Sequence, residues 1–250
     1  ALIKERAETG RIYIMNVDHC NTHSSFLDKV YMSNLCQEIT LPTKPLNHID
    51  DEEGEIALCI LSAINVGTLK ALDDLDELCE LAVRALEEII DYQRYPIKAA
   101  EKSTKARRSL GVGYIGLAHY FAKNHVKYDD PKAWQLAHDL TEAFQYYLLK
   151  ASNTLAKERG ACEYFNRTKY SKGILPIDTY KKEVDTIVEN KLNYDWDTLR
   201  SDIKEHGLRH STLSAQMPSE SSSVVSNATN GIEPPRGYLS VKKSKKGPLK

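Results

Sequence analysis

Three features of the sequence predict an α/β fold. Residues 56–66 form an almost continuous apolar run between Gly54 and Gly67. That is the pattern of a strand buried on both faces, as in a parallel sheet or barrel covered by helices. Leu72, Leu75, Leu78, Ala82, Ala85, Leu86, Ile89 and Ile90 recur at helical spacing, and Trp134, Leu136, Leu140, Phe144, Leu148 and Leu155 form a second such face. No internal repeat and no linker interrupts the 250 residues, so they read as one domain, 1–250.

The elements follow in order. Residues 12–17, Ile-Tyr-Ile-Met-Asn-Val, read as a short strand, and 18–25 as a polar loop. The first amphipathic helix should end between Tyr92 and Tyr95, because Pro96 lies just beyond. Asp130 before Pro131 is an N-cap followed by proline in the first turn, and it opens a long helix that runs to Gly160. A shorter helix is expected from Asp197 to Gly207, then a strand over 211–215 and a loop over 218–223 leading into a helix with Val224 and Val225. Lys242, Lys243, Lys245 and Lys246 near the end read as a solvated strand or turn rather than a targeting or polyanion patch.

The composition sets further bounds. With 41% hydrophobic and 28% charged residues, the chain can bury one substantial core or a large part of a bigger one. A net charge of −1 gives no global attraction for nucleic acid or anionic lipid. Five cysteines, an odd number without framework spacing, point to a reducing compartment. Together with the lack of a signal peptide or membrane-length apolar run, this implies a cytoplasmic location. The opening Ala1-Leu2-Ile3-Lys4, without a methionine, suggests a segment of something longer.

The chemistry concentrates in Asn34-Leu35-Cys36-Gln37-Glu38, with a second thiol, Cys59, inside the apolar run. In extended backbone, Asn34, Cys36 and Glu38 would point to the same side and meet one substrate together. An amide to orient hydroxyls, a carboxylate to take a proton and a sulfur to exchange a hydrogen atom are what radical chemistry on a sugar requires. Two other motifs are decoys. Gly111-Val112-Gly113-Tyr114-Ile115-Gly116 fits G-x-G-x-x-G, but no apolar strand leads into it, so close helix packing is the expected role of its glycines. His19-Cys20-x-x-His23 lacks a second ligand pair and reads as local loop hydrogen bonding rather than a metal site. Cys20, Cys79 and Cys162 read as packing or incidental residues.

These segments resemble the large, catalytic subunit of class I ribonucleotide reductase. The resemblance covers Asn16-Val17-Asp18-His19-Cys20-Asn21-Thr22-His23-Ser24, residues 34–46 and 54–65, and Ala106-Arg107-Arg108-Ser109-Leu110-Gly111. It continues through Pro218-Ser219-Glu220-Ser221-Ser222 and Ser226-Asn227-Ala228-Thr229-Asn230-Gly231-Ile232-Glu233-Pro234-Pro235. It implies the finger loop and second half of a ten-stranded α/β barrel with surrounding helices, the carboxy-proximal part of the catalytic barrel domain.

The residue roles it implies are specific. Cys36 as a thiyl radical removes the 3′ hydrogen of the ribose, Glu38 accepts the 3′-hydroxyl proton as water leaves C2′, and Asn34 holds the ribose hydroxyls. Cys59 is one half of a dithiol that becomes a disulfide at each turnover, its partner lying on an upstream strand that nothing in this chain matches. The turn of Ser219, Glu220, Ser221 and Ser222 receives the diphosphate on backbone N–H groups and serine hydroxyls, Glu220 acting through its main chain.

The wider expectations also follow from the resemblance. The substrate is a ribonucleoside diphosphate, and no metal or cofactor is bound directly by this segment. The radical comes from a di-iron tyrosyl-radical small subunit, thioredoxin or glutaredoxin is the reductant, and nucleotide effectors bind elsewhere. The partners are the upstream half and a second copy of the large subunit, with no nucleic acid and no membrane. A cobalamin-dependent reductase of the same motif, or a non-catalytic scaffold of the same fold, are the rival expectations.

Overall fold

The computed structural model describes residues 1–237, 239, 242–244 and 247–249. Two short helices open the chain, α1 (Leu2–Thr9) and α2 (Val17–His23). A long irregular excursion leads to strand β1 (Ile60–Asn65), helices α3 (Asp74–Tyr92) and α4 (Lys98–Arg107), strand β2 (Leu110–Ile115) and helix α5 (Leu117–Lys123). Next come the long α6 (Pro131–Arg159), a single turn α7 (Pro176–Thr179), α8 (Trp196–His206) and α9 (Glu220–Val225). A small antiparallel pair, β3 (Lys242–Ser244) and β4 (Gly247–Leu249), follows. Lys242 and Lys243 thus lie on a strand, whereas Lys245 and Lys246 fall outside the described residues.

The helices form where local chemistry directs them. Asp130 caps α6 by accepting a hydrogen bond from the Lys132 N–H, Pro131 fills the first turn, and Gly160 ends the helix. Asp195 caps α8 through the Thr198 N–H, and Gly207, at a positive φ of 76°, stops it. α3 ends at Tyr92, and Leu75, Cys79, Val83, Leu86 and Ile90 line its buried face. That face packs against Leu140, Phe144, Leu148 and Leu155 of α6 and against β1, and the resulting cluster is the main core. Each such aliphatic side chain taken from water stabilises the fold by about 1.5–3 kcal/mol.

β1 and β2 pair in parallel, Ile60 opposite Leu110 through Asn65 opposite Ile115. Residues 212–215 lie along the other edge of β2, with Leu110 N–H donating to Thr212 O, Val112 N–H to Leu213 O, and Ala215 N–H to Val112 O. The expected strand over 211–215 is therefore a bridged ribbon. Two glycines of β2 permit its approach: a Cβ on Gly113 would sit 2.3 Å from Ala215 O, and one on Gly111 would sit 2.6 Å from a Leu61 methyl.

Five expectations need correction. The buried strand is β2, all six of whose residues are buried, and not the run 56–66. Within that run only Ile60–Asn65 is strand, while Leu58 and Leu61 are 39% and 43% exposed. The G-x-G-x-x-G motif lies in the strand up to Ile115, Gly111 and Gly113 serving close strand packing instead of helix packing, while Gly116 precedes α5 at φ +83°. Residues 12–16 are irregular, and the supposed polar loop is helix α2, reinforced by Asn21 donating to Val17 O and Thr22 to Asp18 O. His19, Cys20 and His23 are helical accordingly, and α9 starts at Glu220, inside the supposed loop.

The described residues contain two parallel strands and one bridged ribbon around a helical layer, an α/β arrangement. No helix among them is long and apolar enough to cross a membrane.

Candidate active site

Residues 24–44 leave α2, rise to a turn and return. Asn21 fixes the start, its side chain donating to Val30 O and accepting from the Val30 N–H, both at 2.9 Å. The rising arm is held by Leu27 N–H to Arg167 O and by Lys169 N–H to Ser25 O. The returning arm is held by reciprocal backbone bonds between Lys44 and Glu55. Phe26, Val30, Ile39, Leu41 and Ala215 form a small second core between the arms and the sheet, and Cys59 packs on it.

At the tip, the extended geometry expected for Asn34, Cys36 and Glu38 is replaced by a tight turn. Gln37 N–H donates to Asn34 O at 3.2 Å, Asn34 N–H to Ile39 O at 3.3 Å, and Ile39 N–H to Asn34 Oδ1 at 3.2 Å. Gln37 takes φ +62° to close it. The cause is chemical: the short Asn34 side chain offers its own acceptor to the backbone two to five residues on and competes with strand geometry. Asn34 therefore spends one oxygen on the loop and keeps its amide hydrogens free to donate. Cys36 stands exposed on the turn, while Glu38 points back and is half-buried.

Glu38 lies near enough to Cys59 for its charge to act on the thiol. Burial first, and then the charge of Glu38, push the Cys59 thiol up to about 12, so the group is a protonated thiol at neutral pH. Cys59 lies one residue before β1 and is half-buried, a correction to its expected place on a fully buried strand. One oxygen of Glu38, Oε2, is shielded from solvent and lacks a hydrogen-bond partner. It borders a cleft of about 360 Å³ that Ser24, Ser25, Gln145, Thr212 and Ser214 also line.

Ser219, Glu220, Ser221 and Ser222 sit at the far end of the 212–217 ribbon. Ser219 N–H is taken by Asn230 Oδ1, its hydroxyl donates to Met217 O, and the Ser222 hydroxyl donates to Ser219 O. Of the three serine hydroxyls expected to face an anion, only that of Ser221 is exposed and uncommitted.

Sequence reasoning missed two buried charge clusters. Glu87 accepts from Arg108 Nε at 2.8 Å, Arg209 Nε at 2.6 Å and His210 Nε2 at 3.0 Å, and His210 Nδ1 lies 2.9 Å from Ser152 Oγ. Burial works to raise the Glu87 pKa, but the bonds from His210, Arg108 and Arg209 outweigh it and hold it at about 2. Burial lowers the His210 pKa more than Glu87 raises it, so the neutral ring donates from Nε2 and accepts the Ser152 hydroxyl at Nδ1. The second cluster joins Asp28, Glu55, Arg107 and Arg167. Cys79 and Cys162 are buried, their thiols pushed up by burial. Cys20 is half-buried on the cleft.

The family model described as "ribonucleotide reductase, barrel domain" matches residues 1–250. The chain is 64% identical to the ribonucleoside-diphosphate reductase subunit alpha of Haemophilus influenzae over its whole length, which is 33% of that protein. It is 63% identical to ribonucleoside-diphosphate reductase 1 subunit alpha of Escherichia coli, again over all of this chain and 33% of the relative. The subunit alpha of enterobacteria phage T4 is 48% identical over 98% of this chain and 32% of its own length. The chain thus spans about a third of the length of the curated relatives it matches.

Proposed function

The chain belongs to the ribonucleotide reductase barrel-domain family, and from that premise we propose that it carries the radical and reducing sulfurs of a class I ribonucleoside-diphosphate reductase large subunit. The observation that carries this reading is an exposed Cys36 on one turn with Glu38, whose shielded Oε2 lacks a hydrogen-bond partner and whose charge reaches the Cys59 thiol. A carboxylate with an uncommitted, water-shielded oxygen is suited to take a proton, and a thiol held protonated is suited to give up hydrogen. Names ending in subunit alpha among the relatives favour a two-subunit enzyme over the cobalamin-dependent or scaffold alternatives.

In this reading the Cys36 sulfur, as a thiyl radical, takes the hydrogen from C3′. Glu38 accepts the 3′-hydroxyl proton, and the 2′-hydroxyl leaves as water. Asn34, its oxygen tied to Ile39 N–H, offers its amide hydrogens to the ribose. Cys59 and a second thiol from an upstream strand together supply two electrons and two protons and end as a disulfide. One ribonucleoside diphosphate and one dithiol thus give one deoxyribonucleoside diphosphate, water and a disulfide, and C3′ recovers its hydrogen from Cys36. The diphosphate rests on the first turn of α9, on backbone N–H groups and the Ser221 hydroxyl.

The surroundings are part of the proposal. The parallel pair β1–β2 and its ribbon belong to a ten-stranded barrel completed by upstream strands. The protein is cytoplasmic, forms a homodimer of large subunits, receives its radical from a di-iron tyrosyl-radical small subunit and is re-reduced by thioredoxin or glutaredoxin. Reconstitution tests it. Deoxynucleotide formation should require the full-length large subunit with a radical-generating subunit and vanish in Cys36→Ser. Near-normal turnover of Cys36→Ser would contradict the assignment.

A further inference from the structure

The cluster of Asp28, Glu55, Arg107 and Arg167 lies where the two sulfur-bearing segments meet. Asp28 is on the rising arm, eight residues before Cys36, and Glu55 is four residues before Cys59. Arg107, at the end of α4 and only 2% exposed, reaches both. Its Nε and Nη2 donate to Glu55 Oε2 at 2.9 and 2.7 Å, and its Nη1 lies 3.0 Å from Asp28 Oδ2. Arg167 repeats the bridge from the other side, Nε to Asp28 Oδ2 at 2.7 Å and Nη1 to Glu55 Oε1 at 3.3 Å. The Tyr164 ring lies 4.2 Å from the Arg167 guanidinium and 5.1 Å from that of Arg107, which locks both planes.

Two features separate this cluster from ordinary core electrostatics. Its charges balance, two carboxylates against two guanidinium groups, and a shift of either segment would separate charges that are partly or wholly withdrawn from water. It is also asymmetric. Glu55 is held in hydrogen-bond geometry, whereas Asp28 Oδ2 and Arg107 Nη1 meet at ion-pair distance without it. Glu55 is thus fixed by paired hydrogen bonds, whereas Asp28 meets Arg107 as an ion pair on an arm otherwise held by the Leu27, Ser25 and Val30 backbone bonds.

We propose that Arg107 and Arg167, through Asp28 and Glu55, are positioning residues that set the separation between the loop carrying Cys36 and the segment carrying Cys59. The proposal rests on the functional reading above. A substrate radical made at Cys36 has to be reduced by the dithiol before it decomposes, and an ångström of misplacement is enough to change that competition. The cluster contains none of the residues proposed to hold the substrate and acts on the sulfur-to-sulfur geometry.

Arg167 is the residue to change, because its side chain is 40% exposed and the Arg107 bridges survive its loss. In full-length enzyme with its radical-generating subunit, Arg167→Gln should raise the ratio of free base released to deoxynucleotide formed by about tenfold. The dissociation constant for nucleoside diphosphate should stay within about twofold, since the phosphate turn is untouched. Arg167→Lys, which keeps the charge, should restore most of the normal ratio. Independently of turnover, amide hydrogen exchange over residues 33–40 should quicken in Arg167→Gln while the amides of α3 and α6 hold. An unchanged product ratio or unchanged exchange over 33–40 would overturn the clamp, with the functional reading intact. Absence of deoxynucleotide from the unmodified full-length enzyme would instead overturn that reading and the catalytic part of this proposal with it.

Discussion

Glu87 and Glu38 are both carboxylates drawn out of water, and they are treated in opposite ways. Glu87 is wholly buried and receives hydrogen bonds from two arginines and a neutral histidine, which hold its pKa at about 2. Glu38 keeps a shielded oxygen with no hydrogen-bond partner, beside a thiol and an open cleft. A group that only stabilises is surrounded by donors, because each strengthens the single state it occupies. On the proposed reading Glu38 takes up and releases a proton, and such a group is left uncommitted because every added cation would favour one form. The contrast separates a charged hub that fastens α3, α6 and the approach to the 212–215 ribbon from the turn that the proposed function makes reactive.

Exchanging each carboxylate for its amide tests this contrast most severely. Glu38→Gln in the full-length enzyme should lower turnover by about a hundredfold or more while stability holds or rises, because the substitution removes a shielded charge and no partner. Glu87→Gln should do the reverse. It leaves Arg209 and part of Arg108 buried against a neutral amide and should cost about 3–5 kcal/mol of unfolding free energy, read from urea midpoints. Loss of stability in Glu38→Gln with turnover intact would break the comparison.

Acid sharpens it further. The folded pKa of Glu87 is about 2 against an ordinary 4.5, so its stabilisation is complete above pH 4.5 and is lost as pH falls from there toward 2. His210 is also depressed, from 6.5. The unfolded chain therefore takes a proton that the folded one refuses, and stability begins to fall below about pH 6.5. Both effects have the same sign. Urea midpoints measured from pH 7 to 3 should decline in two stages, and Glu87→Gln should lose the lower one.

How far the sequence disclosed these regions depends on how local their causes are. Helix α3 was legible from its apolar spacing and the Pro96 beyond it, and α6 and α8 because Asp130, Pro131, Gly160 and Gly207 act within a turn of themselves. The strands were exchanged: apolar residues 56–66 suggested burial that Leu58 and Leu61 do not have, while the glycines of β2 hid a strand fully covered by its neighbours. Glycine reads as weak strand until the Ala215 carbonyl that needs the space is known. The motif residues Asn34, Cys36, Glu38 and Cys59 could be singled out, but the turn that carries three of them follows from Asn34 bonding its own backbone. Arg107 with Glu55 and Glu87 with His210 lie 52 and 123 positions apart, and no local pattern announces such pairs.

The smallest expected effect concerns the phosphate turn. Ser219 and Ser222 hydroxyls are committed to main-chain oxygens, so Ser221→Ala should account for most of the loss seen in the Ser221→Ala/Ser222→Ala double variant. Titration with nucleoside diphosphate should show binding weakened by about 1 kcal/mol, near fivefold, with turnover at saturation preserved. A larger effect from Ser222→Ala alone would move the anion contact to that residue.

The division of labour between the two sulfurs is tested most directly by Cys59→Ser in the full-length enzyme, mixed with its radical-generating subunit and labelled nucleoside diphosphate while radical decay and base release are followed together. If, as proposed, Cys36 abstracts the hydrogen, that step should proceed, whereas a serine at 59 cannot form the disulfide that completes reduction. The expected result is consumption of the radical and release of free base without sustained deoxynucleotide, neither of which Cys36→Ser should show. Sustained deoxynucleotide formation by Cys59→Ser would contradict the account.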